Sequence, residues 1–140
     1  MILHLSFEEL SSLRSGTGRV LEADSHSGAG IAAPPQVIAD LEQLAPLLTG
    51  DITVSTLEQH RRLRGSVAHL LNDARFEMER AILDQHAAAE SAIAAYFDYA
   101  HLLAVLRQLD RMREEMAAVV QVLTGDDPES EAARRFFFPD

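Results

Sequence analysis

The densest group of chemically capable residues is Tyr96-Phe97-Asp98-Tyr99-Ala100-His101, which holds both tyrosines of the chain. Asp98 and His101 are three residues apart, so on a helix their side chains share one face. A carboxylate and an imidazole at that spacing form half of a helical metal site, the kind found in ferritin-like carboxylate bundles. His86 and Glu90, one turn apart, form a second pair of weak metal candidates. The same spacing also suits a plain hydrogen-bonded pair facing a neighbouring helix. A bundle site draws its ligands from four helices and repeats a Glu-x-x-His motif. Here the motif occurs once, with Asp in place of Glu. The expectation is therefore no cofactor, with a transition metal as the alternative.

Tyr96 and Tyr99 fit a core layer or a protein interface, where tyrosine is enriched. The other aromatic cluster is Phe136, Phe137 and Phe138. Three consecutive phenylalanines cannot face one way, so they dock on the domain or on a partner. Tyr96, Tyr99 and Phe136–Phe138 are accordingly the expected partner-binding residues. A third use of the first cluster is a small-ligand pocket near Tyr96, Tyr99 and His101.

Other chemistry is weakly supported. Asp24, Ser25, His26 and Ser27 contain the residue types of a hydrolytic triad, but sequence neighbours rarely converge and no nucleophile elbow accompanies them. Gly28-Ala29-Gly30 lacks the phosphate-loop lysine and the dinucleotide fingerprint. Arg61, Arg62 and Arg64 form the only dense basic cluster, and Glu58 stands at helical spacing to neutralise it. No catalytic residue is assigned, and the chain reads as non-enzymatic.

Composition narrows the classes further. The net charge is −10, and every cationic residue is arginine. That balance disfavours nucleic acid, which selects basic surfaces, and suits a basic protein partner. No cysteine is present, which removes disulfides and thiolate chemistry. The most apolar window, Ala92–Leu109, is broken by Asp98, His101 and Arg107, so a membrane span is not expected. The start of the chain lacks a secretory pattern, and a cytoplasmic location is expected.

The elements that must position these residues are helices. Ser66–Thr124 contains neither glycine nor proline, the strongest breakers of regular structure. A single straight helix through that span would be close to about 90 Å long, so a turn is expected near Asp84–Ala88, with Asn72-Asp73 the alternative. The final helix then covers about 89–123, with Leu102, Leu106, Leu109, Met112 and Met116 on its buried stripe. The preceding helix carries Leu63, Val67, Leu70, Ala74 and Met78 on one face and starts at a Ser55–Glu58 capping box. Ser6 and Glu9 form an earlier capping box, opening a helix over Phe7–Ala23 that Gly16 and Gly18 weaken. Residues 24–34 are an expected loop. Val37, Leu41, Leu44 and Leu48 mark a helix ending at Gly50. Ile52–Val54 is a short strand that could pair with Ile2–Leu5.

The expected fold is one all-α domain over residues 1–140: two long antiparallel helices, one or two shorter N-terminal helices, and a minor two-stranded β pair. Residues 126–140 form an acidic segment and a Phe-rich tail. Two long helices offer each other one stripe apiece, so a homodimer or higher oligomer is expected. The functional expectation is a protein-interaction or assembly module.

Overall fold

A computed structural model describes residues 1–25, 33–84 and 89–123. The order is β1 (Ile2–Leu3), α1 (Phe7–Ser25), α2 (Pro35–Leu44), a 3-10 turn (Ala45–Leu47), β2 (Ile52–Thr53), α3 (Leu57–Leu83) and α4 (Ala89–Leu123). The fold is all-α, as the residue pattern indicates. Helices α3 and α4 form the long antiparallel pair, and the break between them falls within the expected turn. Asn72-Asp73 lies inside α3.

Leu63, Val67, Leu70 and Ala74 of α3 join Leu102, Val105, Leu109, Met112 and Met116 of α4 in one buried cluster. Fully burying such a side chain stabilises by about 1.5–3 kcal/mol, so this seam is the main source of cohesion. Leu13 and Val20 of α1, Ile38, Leu41 and Leu44 of α2, and Leu3, Leu48, Ile52 and Val54 around the β pair join the same cluster. Val105, three residues after Leu102 and four before Leu109, takes the place in the stripe expected for Leu106, which is only partly buried, and Met78 lies at the margin.

Helix starts follow local chemistry. At α1, Ser6 Oγ accepts from the Glu9 N–H at 3.1 Å and Glu9 Oε1 accepts from the Ser6 N–H at 2.9 Å. This is the expected reciprocal box. At α3 the box is one residue later than expected. Thr56 is the N-cap and its hydroxyl accepts from the Gln59 N–H, while Gln59 Oε1 accepts from the Ser55 N–H. Glu58 instead pairs with Arg61 and Arg62. Helix α2 stops at Leu44, because Pro46 has no N–H to continue the ladder. Its C-cap is Ala45 rather than the expected Gly50. Helix α1 runs to Ser25, two residues past the expected end.

The β pair is antiparallel, with Ile2 opposite Thr53 and Leu3 opposite Ile52. Two strands alone are marginal, and this pair is held from three sides. The Met1 nitrogen donates to the Val54 carbonyl at 2.9 Å, and the Val54 N–H returns a bond of 2.7 Å. The Gln108 side-chain amide of α4 donates to the His4 carbonyl at 2.8 Å and accepts from the His4 N–H at 3.1 Å. Asp51 accepts from the Leu5 N–H at 2.9 Å and from His4 Nδ1 at 3.0 Å. The Leu5 amide first, and the His4 imidazole next, hold the Asp51 carboxyl below its ordinary value of 3.8.

Of the two glycines in α1, Gly16 has a packing reason. A Cβ there would lie 3.4 Å from Leu70 Cδ2, so α1 approaches α3 closely at this point. A Cβ at Gly18, or at Gly65 of α3, would meet nothing within 4 Å. Gly18→Ala and Gly65→Ala are each expected to raise stability by about 0.5–1 kcal/mol in urea denaturation, because glycine costs that much in an exposed helix interior; no gain at either site would show that the glycine is required there.

The ionised Asp51 contributes stability in full above about 3.8, and that contribution is lost as pH falls through its lower folded value. Asp51→Asn should therefore be less stable than wild type at about pH 6, and the gap should be smaller at an acidic pH below the ordinary value of 3.8. An unchanged gap at the two pH values would remove the carboxylate from this role.

Candidate functional site

Helix α1 runs beside α4, and this brings the third partner to the Asp98–His101 pair. Ser12 Oγ lies 2.8 Å from Asp98 Oδ1 and 3.0 Å from His101 Nδ1. Ser12 is buried. An ionised carboxylate only accepts, so the single hydroxyl proton goes to Asp98. His101 Nδ1 must then carry a proton and donate to the same oxygen. The serine is thus occupied on both sides. A nucleophile needs a base to take its proton and a third group to orient that base. Here the hydroxyl stands between the carboxylate and the imidazole, not at the end of a nucleophile–base–orienter chain. The arrangement is a polar clasp between α1 and α4.

Ser12 was not among the residues singled out from sequence. The one signal for it is a small polar residue next to Leu13 on the apolar side of α1, which does not identify a partner more than eighty positions away. A second buried polar link also escaped the pattern. His60, only 1% exposed, donates from Nε2 to the Leu109 carbonyl at 2.7 Å, joining the start of α3 to α4.

Of the other metal candidates, Glu90 does not join the pair. Glu90 is exposed and lies two turns before Asp98 on the same helix, about 12 Å along the axis. His86 lies outside the described residues. No grouping of three or more His, Asp or Glu side chains suited to a metal occurs among the described residues. Glu77 and Glu79 of α3 are matched to Arg80 and Arg75 of their own helix.

The arginine cluster is likewise neutralised: Arg61 and Arg62 meet Glu58, and Arg64 Nε meets Asp110 at 2.7 Å. The Arg64 guanidinium holds the Asp110 carboxyl below its ordinary range. These side chains are well exposed, so each pair contributes at most about 1 kcal/mol.

Two of the cavities among the described residues bear on these side chains. One of about 240 Å³ lies between α1, α3 and α4 and is lined by Arg19, Glu77 and Asp98 among small residues. Tyr96, Tyr99 and His101 do not line it, so the expected pocket near those residues is not formed there. Another of about 240 Å³ lies between α2, β2 and the start of α3. Its rim groups Glu58, Gln59 and Arg62 are already engaged with one another or with the α3 cap.

The outward side of α4 is different. Ile93, Tyr96 and Phe97 are each more than half exposed. Tyr96 and Phe97 meet edge to face at 5.9 Å, and Phe97 stacks on the His101 ring at 6.2 Å. Tyr99, one turn on from Tyr96 and rotated towards the core, is partly buried and packs against it. Ile82 and Leu83 at the end of α3 add to the exposed apolar surface. Thus the two tyrosines named together divide, one inward and one outward. Phe136–Phe138 lie outside the described residues. No helix among the described residues is long and apolar enough to cross a membrane.

No family model, curated protein or solved structure matches this chain.

The clasp has a thermodynamic consequence. Ser12→Ala removes the shared hydroxyl and leaves two polar groups without their partner, so a loss of about 1–3 kcal/mol is expected in chemical denaturation. A loss below about 0.5 kcal/mol would mean that water replaces the hydroxyl without cost.

Proposed function

We propose that this chain is a non-enzymatic helical assembly module that associates with itself through the outward face of α4. The observation that carries the reading is the exposure of Ile93, Tyr96 and Phe97 on a helix whose opposite side is already in the core. From Ser91 to Leu106 the only titratable side chains besides the tyrosines are Asp98 and His101, and both are engaged by Ser12. A helix apolar on two sides is normally covered on two sides. Contiguous exposed apolar residues mark interaction surfaces, and aromatic residues are the usual anchors there.

The acidic balance of the chain bears on the choice of face. Two copies at −10 repel wherever their charges approach, and the Ser91–Leu106 stretch of α4 is where that repulsion is least. A basic protein would be the heterotypic counterpart, with Phe136–Phe138 as a second anchor on sequence grounds.

The test is sedimentation equilibrium over about 1–100 µM, a range that reports dissociation constants typical of modest interfaces. Wild type is expected to sediment as a dimer or larger species at the upper end. Phe97→Asp should raise the dissociation constant by about 100-fold or more, because it would bury an unpaired charge. Its helicity should be unchanged, since the position is exposed. A wild-type monomer across the whole range would defeat the reading.

A further inference from the structure

Resting on the assembly reading, we infer that the partner of this face is a second copy of the chain, with the two α4 helices crossing antiparallel about a two-fold axis between Asp98 and Tyr99. The argument begins with the seam. Glu90, Phe97 and Ala104 are seven residues apart, and so are Ile93, Ala100 and Arg107. That is the spacing that keeps one stripe of a helix facing a neighbouring helix. Glu90, Ile93, Phe97, Ala104 and Arg107 are exposed, and Ala100 is half-buried. The stripe lies away from Leu102, Val105 and Leu109, which face the core.

A two-fold axis at that point sets each side chain of the stripe against a complement. Phe97 of one copy lies over Ala100 of the other, and Ile93 lies over Ala104. Large thus meets small at every apolar layer, which is what close packing requires. At the two ends Glu90 faces Arg107. Neither residue has an ion-pair partner among the described residues. The interface is isologous, so each pairing occurs twice.

Other arrangements lose this match. A parallel pairing sets Glu90 on Glu90, Arg107 on Arg107 and Phe97 on Phe97. Sliding the antiparallel pair by one heptad brings Glu90 against Glu114 in one direction and against Ala100 in the other. Like charges across an interface work against the wrong register.

The absence of native cysteine makes the test direct. The double variant Ile93→Cys/Ala104→Cys should form a covalent dimer on mild oxidation. Within one chain these two positions are about 16 Å apart along the axis, too far for an internal disulfide. Ala104→Cys alone should remain uncrosslinked, since its copies are separated by a similar distance. Glu90→Arg should weaken the dimer by roughly tenfold, and Glu90→Arg/Arg107→Glu should restore it, the mark of a direct pair. Circular dichroism on each variant checks that the helices persist. A wild-type dimer that crosslinks through Ala104→Cys alone, or not through 93 and 104, would overturn this register while leaving self-association standing. A wild-type monomer would overturn both.

Discussion

Helices α3 and α4 close on each other through a continuous apolar seam, and the positions of the other elements follow from it. The seam runs from Leu63 to Ala74 on one side and from Leu102 to Met116 on the other. It uses an antiparallel pair whose connection falls near one end of the molecule, so the free ends of both helices point the other way. The β pair and the start of α1 gather at that opposite end, where Gln108 receives His4. Helix α1 then returns along the hairpin towards its turn, with Gly16 against Leu70 and Arg19 against Asp73.

Apolar packing resists sliding only weakly, because one leucine substitutes readily for another along a stripe. Directional polar links between helices supply what the seam lacks. His60 reaches the Leu109 carbonyl, and Ser12 holds Asp98 and His101 together. A register shift would leave Ser12 and His60 buried and unpaired, which is costly in a low-dielectric interior. The exposed pairs matter less: Arg64–Asp110 has two well-exposed partners and is screened by solvent. Arg19–Asp73 lies between these cases, with a carboxylate that is largely covered.

Helix α4 also carries more apolar surface than the fold consumes. Intramolecular packing uses the side that holds Leu102, Val105 and Leu109, while Ile93, Tyr96 and Phe97 face outward. The assembly reading rests on that surplus. It also accounts for the scarcity of charge over Ser91–Leu106 in a strongly acidic chain: charged groups there would oppose docking by either a second copy or another protein.

Much of the architecture was legible in the residues alone. The lack of glycine and proline after Gly65 marked the long helices, and the length of a single straight helix through that span called for a break, expected near Asp84–Ala88. Ser6 and Glu9 set the start of α1 through a bond pattern confined to one turn. These features are local, so neighbouring residues are enough to determine them. Where two local frames overlapped, sequence could not choose: Ser55–Glu58 and Thr56–Gln59 differ by one residue, and the entry geometry of α3 selected the second. Glycine and proline near the end of α2 competed in the same way, and the missing N–H of Pro46 decided the stop. The partners of Asp98 and His101, the burial of His60, and the division of Tyr96 from Tyr99 were not legible at all. Each depends on which helix lies alongside and at what rotation. Helical periodicity tells which residues share a face, but only the packed neighbours decide what that face meets.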